Sequence, residues 1–201
     1  LPDLIVLGFD TSAAHCAAAL LQGGALVAAR HEDMAKGQAE RLMPMLEELL
    51  VEAGLGWRDL DVIGVGTGPG NFTGIRVGVA AARGLAVALR IPAIGVGAPE
   101  ALAFGQVRPC RVVIPGRRGE VIWQDFTADD PKAPAESRPQ QAAADALPPG
   151  PAPAAPVVGI AEGVARLAAL RSDSPQPRPA PQYLRAADAA PAREAPPVIL
   201  P

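Results

Sequence analysis

The chain has 201 residues, with 18 Lys or Arg against 21 Asp or Glu, a formal net charge of −3 and a pI near 5.4. This balance excludes the basic footprint of a domain that grips nucleic acid by itself, though not a subunit of a complex that handles nucleic acid. Two cysteines without a CxxC spacing and two histidines exclude the closely spaced ligand set of a zinc site.

The opening residues "LPDLIVLGFD" have no basic n-region and no small-residue cleavage site, so they read as a strand and not as a leader. "CAAALLQ" and "ALVAARHE" follow, separated by Gly23-Gly24. A Gly-Gly pair between apolar blocks predicts a hairpin, so the first 32 residues are expected to form a three-strand meander with Asp10, Thr11 and Ser12 in its first turn. Over residues 38–54, Ala39, Leu42, Met43, Leu46, Leu49, Leu50 and Ala53 recur at helical steps and Gly54 stops the run. Pro44 lies inside that pattern, so the helix is expected either to begin late, near Met43, or to bend. "DVIGVGTG" (61–68) reads as a strand buried on both faces. A helix from about Thr73 to Leu89, a strand at 91–97 and a short helix over 99–105 come next. This succession is an α/β layout.

Two further strands fit 110–114 and 119–127, with the turn at 117–119. Sixteen of the 23 prolines lie from Pro131 onward. Residues 131–156 are Pro/Ala-rich and lack large apolar side chains, so they are expected to form a loop or disordered insert with weak helix near Gln140 to Ala146. A strand end and a helix are expected over 157–170. The organisation read from this is an N-terminal subdomain, 1–104, and a smaller C-terminal one, 105–201. No apolar run approaches the roughly 20 residues of a membrane span. Few cysteines suit a reducing cytosol, the expected location.

"GTGPGNFTGIRVG" (66–78) carries the glycines of a phosphate-cradling loop and enters a helix, whose N-terminus offers free N–H groups. It matches neither G-x-x-x-x-G-K-[ST] nor G-x-G-x-x-G. Gly74 and Gly78, with Ala81 and Ala82, instead place small residues along one helix face. Glycine inside a helix costs roughly 0.5–1 kcal/mol against alanine, and close approach of another element offsets that cost. The glycines therefore read mainly as turn and close-packing residues, with phosphate binding as the second reading. "FDTSAAH" (9–15) is the other candidate for phosphate work. Its acid and hydroxyls, Asp10, Thr11 and Ser12, could face a phosphate or form a capped Asx-turn, and spacing favours the turn. No G-x-S-x-G elbow is present, and Ser12 with His15 is no triad. Arg76 and Arg83 share a helix face, as a solvated edge or as a site for an acidic partner.

Taken in order, "GFDTSAAHCAAALL", "QAERLMPMLEELL", "GVGTGPGNFTGIRVGVAAARGLA", "IPAIGV" and "GEVIWQDF" strongly resemble the bacterial TsaB (YeaZ-type) proteins of tRNA threonylcarbamoyladenosine synthesis. The resemblance covers about residues 4–127, and "PQYLR" (181–185) resembles that family's C-terminal pattern. It implies an actin-like ATPase (RNase H-like, sugar-kinase/Hsp70) fold of two tandem α/β subdomains with the second reduced. It implies a catalytically inactive subunit that pairs with a TsaD-like paralogue, joined by a TsaE-like ATPase, to modify adenosine 37 of tRNAs reading codons that begin with A. Self-pairing is implied through the same face, formed by Ala39, Leu42, Met43 and Leu46 of the first helix with Phe72, Thr73, Gly74, Arg76, Val77, Gly78 and Ala81 of the helix after the glycine loop. No catalytic residue and no metal ligand is expected here. ATP, ADP and metal are expected on the partner subunits, tRNA contact only through the complex, and no membrane association. Gln38 stands where many relatives have His, and Pro115-Gly116-Arg117 where the family has D-A-R, which strengthens that expectation. The alternatives are a stand-alone ATPase or metallopeptidase of this fold, against which the lack of H-E-x-x-H speaks, and a general interaction module without a tRNA link.

Overall fold

The computed structural model describes residues 3–116, 118–127 and 137–184. A five-stranded sheet has the order β3-β2-β1-β4-β5, formed by β1 (Ile5–Asp10), β2 (His15–Gln22), β3 (Ala25–Asp33), β4 (Val62–Gly66) and β5 (Ala93–Val96). The first three strands are the expected antiparallel meander. Gly23 and Gly24 both take positive φ, 58° and 82°, the backbone that a two-residue hairpin needs. The strands β4 and β5 run parallel to β1.

Both faces of this sheet are covered. On one side lie α1 (Gln38–Glu52) and α2 (Phe72–Leu89). Leu7, Phe9, Leu20, Ile63 and Val65 pack there against Leu42, Met45, Leu46, Leu49, Leu50, Ile75 and Val79. On the other side lies α4 (Ile160–Arg171), after a short α3 (Ala98–Leu102). Its Ala165 and Ala168 cluster with Val6, Leu21, Val62 and Ile94, and its Ile160, Val164 and Leu167 with Ala17, Ala19 and Val96. Cover on both sides is why β1 and β4 are apolar at successive positions instead of alternate ones.

Helix α1 begins at Gln38, as the pattern over 38–54 predicts, so of the two alternatives at Pro44 the late start near Met43 is excluded. Pro44 removes one backbone donor, but Pro44 and Glu40, whose carbonyl loses that donor, are both exposed, so the loss falls on the solvent side of the helix. The buried stripe of α1 is Gln38, Leu42, Met45, Leu46, Leu49 and Leu50, so Met45 takes the core position expected of Met43.

The second half adds a three-stranded antiparallel sheet in the order β6-β7-β8, formed by β6 (Cys110–Pro115), β7 (Glu120–Phe126) and β8 (Gln140–Ala143). The strand β8 replaces the weak helix expected near Gln140. Its residues pair with Glu120–Trp123 of β7, and Gln141 Nε2 donates to Glu120 Oε2 at 2.6 Å, so strand pairing overrides the helix propensity of alanine. Residues 157–159 form a bend leading into α4, not the expected strand end. Past β8 the proline-rich chain is held by Arg111. Its guanidinium pairs with Asp125 through Nε and Nη2, at 2.6 and 2.7 Å, and its Nη1 donates to the carbonyl of Pro148 at 2.6 Å. Arg117 of the expected turn, residues 131–136 of the expected loop and Arg185 of "PQYLR" lie outside the described residues.

Candidate functional site

The glycine loop leaves the C-terminal end of β4 and turns into α2 against the β1–β2 turn. Thr11 Oγ1 donates to the Gly74 carbonyl at 2.7 Å, and the Asn71 N–H donates to the Ser12 carbonyl at 2.5 Å. A Cβ at Gly74 would lie 2.0 Å from the Thr11 carbonyl oxygen, and one at Gly78 2.7 Å from Thr11 Oγ1. The close approach that the helical glycines predicted is therefore made within the chain. Asn71 caps α2, its side chain accepting from Thr73 N at 3.0 Å and Gly74 N at 3.2 Å. Those first-turn amides are the donors that a phosphate would need, and they are occupied. Sequence reasoning passes over Asn71, although Asn immediately before a helix is a standard capping signal.

The turn after β1 is an Asx-turn. Ser12 donates both its N–H and its Oγ–H to Asp10 Oδ1, each at 2.9 Å, and His15 Nε2 donates to the same oxygen at 2.7 Å. Asp10 is fully buried. Its Oδ2 has no partner and sits where Gly66 leaves room, since a Cβ there would be 1.7 Å from it. Asp10 and Ser12 thus close a turn and Thr11 bonds to α2. The amides of the first turn of α2 are thus capped from within the chain and the Asp10 carboxylate is enclosed. Among the described residues no group of three or more His, Cys, Asp and Glu could hold a metal ion. Burial pushes the Cys16 thiol up to about 11 and raises that of Cys110, so both are poor nucleophiles.

The helical face divides into core and surface. Leu42 and Leu46 are 1% and 0% exposed and belong to the core, while Gly74 and Gly78 are buried against Thr11. These four are corrections to the predicted partner surface, because each is already used inside the chain. Ala39, Met43, Thr73 and Arg76 are exposed, and Phe72, Val77 and Ala81 half-buried. Around them the surface continues through Val51, Ala80, Arg83, Gly84 and Val87, with Val87 80% exposed. By length and composition alone α2 is apolar enough to cross a membrane, yet its Ile75, Val79 and Ala82 lie in the core. The exposed side of α2 thus mixes the small and apolar residues Ala80, Gly84 and Val87 with Thr73, Arg76 and Arg83.

One member of this surface was missed. Tyr183 approaches from the far end of the chain, its hydroxyl accepting from Arg76 Nε at 2.9 Å and its ring lying 4.9 Å from that of Phe72. "PQYLR" could have flagged it, but nothing in sequence spacing ties residue 183 to residue 76.

Comparison with known proteins gives consistent matches. The family described as "TsaD: tRNA N6-adenosine threonylcarbamoyltransferase" matches residues 31–154. The tRNA threonylcarbamoyladenosine biosynthesis protein TsaB of Escherichia coli K12 is 35% identical over 130 residues, covering 62% of this chain and 56% of that protein. The TsaB of Haemophilus influenzae is 37% identical over 132 residues, covering 63% and 56%. The chain thus spans somewhat over half the length of these relatives. The solved structure of YeaZ from Pseudomonas aeruginosa superposes with a TM-score of 0.73 at 28% identity, covering 90% of this chain and all of that one.

Proposed function

Because the chain belongs to the threonylcarbamoyltransferase-domain family, in its TsaB (YeaZ) branch with an actin-like α/β fold, we propose that it is a non-catalytic docking subunit of a tRNA-modifying complex. Its partners in this reading are a TsaD-type paralogue, which transfers the threonylcarbamoyl group to adenosine 37, and a TsaE-type ATPase. The observation that carries the reading is the outer surface of α1 and α2, exposed and apolar through Met43, Val51, Ala80 and Val87 on a helix pair whose inner side already holds the core. The same face serves pairing between copies when the chain is alone.

Nucleotide and metal belong to the partners in this reading. Capping of the α2 amides by Asn71 and the enclosure of Asp10 support that assignment. Contact with tRNA passes through the complex, in keeping with a net charge of −3, and the complex works in the cytoplasm. The test is reconstitution. Purified TsaD-type and TsaE-type proteins, ATP, threonylcarbamoyl-adenylate and unmodified tRNA are mixed with and without this chain, and modified adenosine is quantified by mass spectrometry. Product is expected only with the chain present, and equal product in its absence overturns the reading.

A further inference from the structure

The exposed side of α2 is basic as well as apolar. From Phe72 to Leu89 the helix has no Asp or Glu, and its two arginines, Arg76 and Arg83, stand seven residues apart, two turns along one side. Arg90 at the C-cap extends the row. All three are exposed. Among the described residues none of them is paired with a carboxylate. On a chain of net charge −3 this is a segregation of positive charge onto one helix.

Arg76 is the arginine of that row that is held in place. Its Cζ lies 3.7 Å from the Phe72 ring centroid, and its Nε donates to Tyr183 Oη. Tyr183 is delivered by residues 179–184, a segment without helix or strand that lies across the glycine loop. Pro179 is buried, the Gln182 N–H donates to the Thr67 carbonyl at 2.8 Å, and the Gln182 carbonyl lies 3.2 Å from where a Gly68 Cβ would stand. The guanidinium is thus fixed by one ring face and by Nε, while its Nη donors have no partner among the described residues. A planar fork fixed in this way loses little further freedom on meeting a carboxylate, which it binds through two parallel hydrogen bonds.

We infer that the Tyr183–Arg76–Phe72 stack is a preset receiver for a carboxylate, and that its occupant is an acidic side chain on the docking surface of the partner subunit. This rests on the docking role given above. It makes Tyr183 a positioning residue that acts through Arg76, and it gives the C-terminal segment a part in recognition.

The test uses full-length variants, titrated calorimetrically against the purified TsaD-type paralogue at low and high salt. Arg76→Met keeps an unbranched apolar side chain at this position and removes the fork, and is expected to weaken binding roughly tenfold and to flatten its salt dependence. Tyr183→Phe keeps the ring and removes the acceptor, and is expected to weaken binding by a smaller factor at unchanged thermal midpoint. The double variant is expected to bind as Arg76→Met does, because the tyrosine has nothing left to position. Unchanged binding by Arg76→Met, losses that add in the double variant, or a lowered thermal midpoint for Tyr183→Phe each overturn the inference while leaving the docking role intact. Loss of self-association with paralogue affinity unchanged also overturns it, by assigning the stack to pairing between copies. A wild-type chain that does not bind the paralogue overturns both readings.

Discussion

At position 74 a methyl group would meet the Thr11 carbonyl oxygen at 2.0 Å, and the two effects of such a substitution have opposite signs. Alanine is intrinsically the better helix former by about 1 kcal/mol. Overpacking costs typically about 1–3 kcal/mol and occasionally more. Here the obstructing atom is backbone, in a turn fixed by the Thr11–Gly74 and Asn71–Ser12 hydrogen bonds, so it cannot swing aside as a side-chain tip would. Gly74→Ala is therefore expected to lower the urea midpoint, and a midpoint equal to or above wild type would show that the turn yields. The same geometry bears on Gly78, whose Cβ position is 2.7 Å from Thr11 Oγ1. A large side chain at either glycine reports on the fold before it reports on a partner. The small-residue spacing was legible in the sequence as close packing. What the small face packs against was not, because Thr11 is 63 residues away from Gly74.

At the scale of elements, the edge strand β3 is joined to α1 by a connected set of charges. Arg41 pairs with Glu32 and Glu48, each at 2.7 Å, and Arg30 with Glu48 and Glu52 at 2.6 and 3.0 Å. Hydrogen bonds from Arg41 hold the carboxyls of both Glu32 and Glu48 below the usual glutamate range. The unfolded chain therefore takes up protons at a higher pH than the native one, so this stabilisation is present above the ordinary glutamate pKa and is lost as pH falls through the lowered native values. The groups are partly exposed and screened, which keeps the effect small. Arg41→Met is expected to show a shallower fall of thermal midpoint between about pH 5 and about pH 3 than wild type. Parallel curves would mean that the set contributes nothing to acid stability. Pairing of this kind is not written in hydropathy, whereas the helix and strand it joins are, through the Gly23-Gly24 turn and the three- and four-residue steps of Leu42, Leu46 and Leu49. Where pattern reading failed, long-range contact decided the outcome. Gln140–Ala143 became a strand because β7 had an edge to offer, and Pro44 was tolerated because it lies on the solvent side of α1.

For the molecule as a whole, the informative element is α4, which belongs by sequence to the second half and by packing to the first sheet. A Cβ at Gly8 would lie 2.6 Å from Ala165 Cβ, and one at Gly64 2.9 Å from Ala168 Cβ, so small residues on β1 and β4 meet small residues on α4 at close range. The sequence pattern predicts a strand end and a helix over 157–170 and a strand apolar on both faces at 61–68, but nothing in either joins the two across about a hundred residues. A boundary at residue 104 leaves one face of the first sheet without its cover. Val6, Leu21, Val62 and Ile94 would be exposed, at about 1.5–3 kcal/mol for each side chain. Their sum, on the order of 10 kcal/mol, is comparable with the roughly 5–15 kcal/mol total stability of a domain. A fragment of residues 1–104 is accordingly expected to show no cooperative urea transition, and the same fragment joined by a flexible linker to residues 157–172 is expected to recover one. Cooperative unfolding of the 1–104 fragment at the midpoint of the full chain would show that α1 and α2 suffice, and that α4 is an accessory to the sheet, not part of its core.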